Sequence, residues 1–516
     1  MTKLDALAPA PSAPARRVPH PAAMLAVVCI GTMMTFVDVS STIAALATIQ
    51  ADLRPSAASA VWITSAYSLV VASLVLVAGT AADLLGRRLV FGAGAATFAI
   101  GSAFAMVAGS TGMLIAAQAV MGVGGAMVLP SGLALVTHAF SDPHRRTVGV
   151  SIWAGSSGLG LALGPVLAGT FVKAGSWHLA FATNVVLGIG AVLGAVLVLA
   201  ESRYPGRRRL DPVGVALGTL TVATLTFAVI EGGTMGYGSE TIVTAWIVAV
   251  AALAGFVTWE SRHPSPMLDV RLFQSPSFSA VMAVAATAMF GFTGTALLTT
   301  LQLQHSAGTT VLGAGLRLLA MFIPFVAASA SAGLVVRRTG FRVILTAGLT
   351  LMAAGDLLLL LTRPGPDFAR MLPGLLVVGL GAGVLVAPST AAAVISVPTA
   401  QAGMASAAVN MFRQVGNVLG AAVLGTVLTT GFAEQLGRRL STAHVPTPVA
   451  DGVVAAAGHG DAGAAALPAH LTRVVEDAVR GAFTTADHHG LVVGAAVLLV
   501  VAVPAALFVR SRPAAA

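Results

Sequence analysis

Charge is what this chain has least of: only 9% of its 516 residues are Asp, Glu, Lys or Arg, against about 25% in an ordinary soluble domain. Hydrophobic residues make up 57%. That balance excludes a soluble globular protein, which needs charge over its surface, and fits a lipid-embedded one, which keeps polar groups for loops and an internal path. Cysteine is nearly missing as well. The single Cys29 excludes an intramolecular disulfide and any multi-cysteine metal site, and reads as a small apolar packing residue. The net charge of +9 does not point to nucleic acid, because the basic residues lie in short clusters between apolar runs, with no stripe and no interleaved aromatics. No Gly-x-x-x-x-Gly-Lys-Ser/Thr loop occurs, so ATP is not the energy source in this chain, and neither a zinc motif nor a nucleophile elbow is present. The sequence implies neither an enzyme nor a cofactor or metal.

What is there is a series of apolar runs, each long enough for a helix across a bilayer, for which about 20 residues are needed. Fourteen candidate spans lie near 24–46, 61–80, 90–109, 113–137, 148–171, 179–200, 213–231, 242–259, 278–301, 312–335, 343–362, 372–396, 404–430 and 490–509. The first follows a Pro- and Ala-rich stretch, residues 1–23, that reads as a disordered cytoplasmic tail. It is too long for the apolar part of a cleaved signal peptide, so it is read as a retained span. Eighteen of the 28 Lys and Arg residues fall on one side if the amino terminus is cytoplasmic, which obeys the positive-inside rule and places both termini in the cytoplasm. The segment 431–489 then faces outward between the last two spans, and "LPAHLTRVVEDAVRGAF" within it has the spacing of a short surface helix. Abundant Ala and Gly, with 26 Arg to 2 Lys, suggest a high-GC bacterial genome and hence a bacterial plasma membrane.

One internal repeat organises the chain. "GTAADLLGRR" after the second span places Gly79, Asp83, Gly86 and Arg88 at relative positions 0, 4, 7 and 9, with Arg87 between the last two. "GLVVRRTGFR" after the tenth span places Gly333, Arg337, Gly340 and Arg342 at the same positions. Eight spans separate the two loops, as expected for parallel repeats framing a site at the membrane midplane. The predicted fold class is therefore an all-α polytopic membrane protein with a 24–200 bundle of six helices, a 201–277 linker carrying two additional central transmembrane helices, a 278–510 bundle of six helices with its outer loop, and a 511–516 cytoplasmic tail.

These residues resemble the major facilitator superfamily, and within it the fourteen-helix drug:proton antiporters. "GTAADLLGRR" is similar to the loop between helices two and three of that superfamily. "LGLALGPVLAG" is similar to the antiporter motif of the fifth helix through Gly160, Gly164, Pro165 and Gly169, with Ala168 in place of one glycine. "FVDVSSTIAAL" matches the first-helix motif at Asp38, with Ser40 where threonine is usual and Ile43 where asparagine is. The second helix is matched at Trp62, Thr64, Tyr67 and Gly79, the thirteenth by the pair Arg413 and Gln414, and the sixth by Asn184 without its usual following proline. The fourth departs: Gln118 precedes Gly122 where the family carries an arginine thought to take part in proton coupling, and a neutral amide cannot replace a guanidinium in an ion pair.

Ionisable groups within spans are rare because burying them is costly, so each is a functional candidate. The clearest are Asp38, Asp356 and Arg413; Glu231 and Arg317 lie nearer the span ends and can reach headgroups or water. A group that holds a proton or a cationic substrate, but not both, is what exchange requires. Asp38 has Thr35, Ser41 and Thr42 at i−3, i+3 and i+4, a polar helix face. Asp38, Asp356, Tyr67, Gln118 and Arg413 are the candidates for coupling or substrate contact, against a structural pair for Asp38, a local hydrogen-bond partner or a lipid-distant cavity residue for Asp356, and packing with a buried ion pair for Arg413. Asp83, Arg87 and Arg88, with Gly79 and Gly86, take the family's role of a cytoplasmic gate. The glycines of the fifth span and Pro165 suit a rocking interface, against ordinary small-residue packing.

The resemblance implies a secondary active exporter of small hydrophobic or amphipathic drug-like molecules, driven by protons across the lipid bilayer, with no obligate protein partner and no nucleic acid. The alternatives are a dedicated exporter of one metabolite or self-made antibiotic, an uptake symporter, and a non-transporting membrane sensor.

Overall fold

The structure, a computed structural model, describes residues 20–140, 142–203, 211–264, 266–365, 367–398, 401–458 and 469–511. Most of the expected tails, residues 1–19 and 512–516, lie outside the described residues, as do 204–210 with Arg207, Arg208 and Arg209. Among the described residues the secondary structure is all helix. In chain order the α-helices are α1 (Pro21–Leu53), α2 (Ala57–Leu85), α3 (Arg87–Ala105), α4 (Thr111–Ala139), α5 (Pro143–Lys173), α6 (Ala180–Leu197), α7 (Pro212–Met235), α8 (Glu240–Arg262), α9 (Pro276–Leu301), α10 (Val311–Leu359), α11 (Phe368–Ile395), α12 (Ala402–Thr442), α13 (Thr447–Gly458) and α14 (Ala469–Phe508).

Thirteen of these are long and apolar enough to cross a membrane. The 49 residues of α10 would stretch about 74 Å if straight, more than two hydrocarbon cores of about 30 Å each. Gly340 breaks it, at φ 79° and ψ 167°, into limbs 311–339 and 341–359 that each cross once. The crossings then number fourteen, as the hydropathy pattern predicts.

Within α1–α6, α1 lies on α5 and α4 packs against both α2 and α3. In the second six-crossing bundle α9 lies on α12 and the two limbs of α10 run with α11 and α14. Polar side chains start several helices by accepting the otherwise unpaired first-turn N–H groups: Ser110 from Met113, Asp142 from Arg145, Asp211 from Gly214. Central in the chain, α7 and α8 are peripheral in space. Only 22% of the apolar window of each is buried, against 78% for α9, so most of their surface is left for lipid. They are held through α7, where Trp62 Nε1 of α2 donates to Glu231 Oε1 at 3.0 Å.

The segment expected as an outer loop over 431–489 is largely helix. α12 runs on to Thr442, α13 follows, and α14 starts at Ala469, twenty-one residues ahead of the expected span. Leu436, Leu440, Val445, Val453, Val475, Ala478 and Ala482 form a small apolar core of their own there. Hydropathy averaged over a window misses such a segment, because its opposite face carries Glu434, Arg438, Glu476 and Arg480 in exposed i,i+4 pairs. The predicted surface helix is thus the beginning of α14, not a separate element; its first residues, 467 and 468, lie outside the described ones.

Candidate transport site and its gates

Asp38 stands midway along α1, with none of its surface exposed. Its Oδ1 accepts a hydrogen bond from Asn184 Nδ2 of α6 at 2.9 Å, and its Oδ2 has no partner among the described residues. Burying an ionised carboxylate without a cation costs several kcal/mol, so a site this poor in counter-charge responds strongly to opening to water or to an arriving cation. Its polar neighbours only partly serve it. Thr35 donates to the carbonyl of Thr32 and Ser41 to that of Asp38 itself. Thr42 accepts from Gln118 Nε2 at 2.9 Å, so the amide standing where the family has arginine ties α4 to α1 one turn beyond the carboxylate. Tyr67 lies beside Asp38 and Thr35, edge-on to Phe98, and fills the space left by the missing side chain of Gly125.

Between the bundles is a small cavity, lined by Thr35, Phe36, Tyr67 and Leu161 from the first bundle and by Phe292 and Gln414 from the second. A neighbouring one reaches Ser40, Pro165, Phe292 and Phe322. These walls are apolar and aromatic with a few neutral polar groups, the usual make-up of a small-molecule site. The polar part is a chain: Thr293 donates to Asn417 Oδ1 at 2.7 Å and Asn417 Nδ2 donates to Gln414 Oε1 at 2.8 Å. Sequence reasoning found Gln414 but missed Asn417 and Thr293, although Asn417 lies three residues on and shares its face of α12.

Arg413 points away from that chain to α11. It donates to Ser389 Oγ and Thr390 Oγ1, each at 2.9 Å, to the Val386 carbonyl, and to Asn410 Oδ1 of its own helix. All four acceptors are neutral. Asp356 is apart from both Asp38 and the cavity. Its Oδ1 accepts from Thr295 Oγ1 of α9 at 2.8 Å, its Oδ2 is unpartnered, and it faces α14 at Gly494.

The fifth-helix motif forms a seam with two sides. Cβ atoms added to Gly160 and Gly164 would lie 2.6 Å from the Met33 carbonyl and 2.7 Å from the Val37 carbonyl, so these glycines let α5 rest directly on α1. Gly169 and Pro165 face the other bundle: Gly169 abuts Leu312 of α10, and a Cβ on Gly315 of α10 would lie 2.6 Å from the Pro165 carbonyl. Further cross-bundle contacts join Gln304 to the Ala44 carbonyl at 2.8 Å and Val61 to Gly425. These contacts gather toward the membrane face remote from the α2–α3 turn.

At the α2–α3 turn, Gly86 adopts φ 120° and Gly340 of the repeat adopts φ 79°, a region that other residues enter at a cost. Each turn is held by the chain just past the last helix of its own bundle. Arg87 N–H donates to the Ser202 carbonyl and Arg88 N–H to Glu201 Oε1; Phe341 N–H donates to the Ser511 carbonyl. Arg88 Nη2 donates to the Val196 carbonyl near the end of α6 at 2.7 Å, and Arg342 Nε to the Val509 carbonyl after α14 at 2.8 Å. Arg88 is therefore a helix C-cap as well as a surface cation. Asp83 accepts from Arg87 at 2.9 Å, and Arg87 also reaches the Ala134 carbonyl, so both partners recorded for this pair lie in the first bundle. Gly79 faces Pro130 of α4.

The family model of the Major Facilitator Superfamily matches residues 28–421. The chain belongs to the major facilitator superfamily. It is a multi-pass membrane protein of a transporter family, and its relatives agree with that placement. It is 34% identical over 431 residues to the multidrug resistance protein Stp of Mycobacterium tuberculosis, covering 83% of this chain and 79% of that protein. It is 32% identical over 486 residues to the multidrug efflux pump LfrA of Mycolicibacterium smegmatis, covering 93% and 94%. Among solved structures it resembles the inward-facing, occupied form of a bacterial homologue of the human lysosomal transporter Spinster. The TM-score is 0.63 at 14% identity, over 95% of this chain and 96% of that one, a likeness of fold. Within this superfamily fold the fifth-helix motif is the seam of the two bundles, and Asp38 is the buried carboxylate next to their shared cavity.

Proposed function

We propose that the protein exports small hydrophobic or amphipathic drug-like molecules across the bacterial plasma membrane, exchanging them for protons by alternating access. The observation that carries this is Asp38: a fully buried carboxylate with one oxygen unpartnered, beside Tyr67 and Thr35, which line the cavity between the bundles. The names of the relatives support drug efflux. The face with the α2–α3 turn is taken as cytoplasmic, since the basic clusters gather there. The seam contacts of α5 with α10 and of Gln304 with Ala44 support a closed outer side, as expected of a conformation that loads from the cytoplasm. Gly79, Asp83, Gly86, Arg87 and Arg88 form the gate that meets the second bundle when the molecule turns outward.

Gln118 makes the first bundle's chemistry depend on Asp38, because it offers a hydrogen bond to Thr42 in place of a family guanidinium. The deciding experiment is drug susceptibility of a pump-deficient bacterium carrying the parent, Asp38→Asn or Gln118→Arg at matched membrane abundance. Resistance to several unrelated drugs that disappears with Asp38→Asn supports the reading. Protection against a single compound class would instead make it a dedicated exporter, and accumulation of the compound inside cells would make it an importer.

A further inference from the structure

The second bundle buries two acids that the reading above does not use together. Asp356 and Asp487 expose 1% and 3% of their surface, and each keeps one carboxylate oxygen, Oδ2 of Asp356 and Oδ1 of Asp487, without a partner among the described residues. They are linked through one face of α14. A Cβ on Gly494 would lie 3.2 Å from Asp356 Oδ2, so that oxygen is aimed at bare backbone of α14. Asp487 is seven residues earlier, two turns along the same face or about 10 Å. Its charge acts on Asp356.

The same face continues outward as a polar ladder. Three residues before Asp487, Thr484 Oγ1 accepts from Gln302 Nε2 at 2.9 Å and meets Ser306 Oγ at 3.1 Å, in the π-helical turn that ends α9. Above that level lies the helical cap made by α12, α13 and the start of α14. None of the surrounding elements gives either acid a recorded cation. From α9 comes Thr295 and from α12 Leu424, while Arg413, eleven residues before Leu424, is committed to α11. On α11, Arg370 pairs with Asp367 at 3.1 Å. On α14 itself His488 and His489 follow Asp487, and Arg480 lies two turns before it. His305 of the π turn bonds to the Leu301 carbonyl and stacks on Phe483, and Arg439 of α12 bonds to Thr485.

We infer that Asp487 and Asp356 form a second proton-binding site, an outer and an inner acceptor on a path that enters from the outer face along α14, separate from Asp38. A proton from the outer solution binds the Asp487 carboxylate and passes to the unpartnered oxygen of Asp356 over water admitted along α14, because the two positions are about 10 Å apart. Asp356 releases it to the cytoplasmic solution when the bundles turn, leaving both acids charged and ready for the next. This rests on the proton-driven reading above, and its position in the second bundle explains why two uncompensated acids persist there.

The test is infrared difference spectroscopy of the purified full chain between low and high pH, which reads the carbonyl stretch of protonated carboxyls with no substrate present. Asp487→Asn should remove one such band and shift that of Asp356; Asp356→Asn should do the reciprocal; Asp38→Asn should remove a third band and leave these two in place. Asp487→Glu, which keeps a titrating group, should restore the pair, and Thr295→Val should move only the Asp356 band. Unaltered spectra for Asp487→Asn, or a band that ignores Asp356→Asn, would overturn the inference. In proteoliposomes with trapped pyranine and ethidium as the transported probe, the protons moved per ethidium should drop by one in Asp487→Asn. Failure of the parent to couple ethidium to a proton gradient would count against the proposed function, while the infrared bands still decide the second site.

Discussion

Each bundle buries a carboxylate within a membrane-crossing helix, Asp38 in the first and Asp356 in the second, and these two are built alike up to a point. Asp38 and Asp356 each accept one hydrogen bond from a neutral side chain, Asn184 at 2.9 Å and Thr295 at 2.8 Å, and each leaves its second oxygen unpartnered. The difference is what lies next door. Asp38 is neighbour to Thr35 and Tyr67, whose other faces line the inter-bundle cavity, whereas Asp356 turns away from the cavity to α14 and a second acid. Similar chemistry is thus placed once beside the space between the bundles and once against a bare helix face. The lesson is that burial alone does not assign a role; the neighbouring space does.

The sharpest way to break that comparison is to neutralise the cavity-side acid. Asp38→Asn keeps the shape and the Asn184 contact is still satisfiable, so folded yield should hold. Gradient-driven efflux from proteoliposomes should fall to near background, while downhill exchange of substrate survives. Retained uphill transport with intact proton movement would move the coupling to Asp356 and end the distinction between the two sites.

A second contrast lies along the α5 motif. Gly164→Leu drives a side chain into the Val37 carbonyl of the same bundle, and Gly315→Leu drives one into the Pro165 carbonyl of the other. Overpacking costs about 1–3 kcal/mol and more where backbone must yield. Gly164→Leu should lower the yield of folded protein, because α1 and α5 have no other arrangement to adopt. Gly315→Leu should fold normally but shift the molecule away from outer-side closure, seen as increased labelling of a cysteine placed at Thr293 by a membrane-impermeant reagent from outside. Equal loss of yield in both would mean that the seam between the bundles is as fixed as the packing within one.

Of intermediate size is the gate. The Asp83–Arg87 pair is partly exposed and within its own bundle, so losing it should cost no more than about 1 kcal/mol of stability. Asp83→Asn should nevertheless cut export per molecule while membrane abundance stays the same, since its proposed partner is the second bundle in the other conformation. Unchanged export per molecule removes Asp83 from the gate.

Much of this was legible in sequence, and for physical reasons. A bilayer demands long apolar runs, so fourteen crossings could be located, including the two that merge through Gly340, although α12 and α14 run well beyond their expected spans. The repeated loop was legible because a positive-φ glycine and a capping arginine are needed at the same places in both bundles. The outer helical cap was legible only in part, through the helical spacing of 467–483, since its apolar residues are spaced for a local core and diluted by charge. Asp487 was missed for that reason: it lies just outside the apolar run at 490–509, on the N-terminal extension of α14, where it is buried. The cavity chain of Thr293, Asn417 and Gln414 depends on which faces of α9 and α12 meet, which hydropathy does not report.

The smallest expected effect tests whether the repeat is structural in both bundles. Arg88 Nη2 and Arg342 Nε each donate to a carbonyl at the end of the last helix of their bundle, at 2.7 and 2.8 Å. Cations at helix C-termini contribute about 0.3–1 kcal/mol, less where water screens them. Arg88→Gln and Arg342→Gln should therefore lower thermal stability in detergent by similar, small amounts, and Lys at either position should restore part of it through charge alone. If Arg88→Gln instead cuts transport at unchanged stability while Arg342→Gln does not, the first loop has a gating role that its echo lacks. The two loops would then share a turn and a cap but not a function, because only the first carries an acid, Asp83, where the second has Arg337.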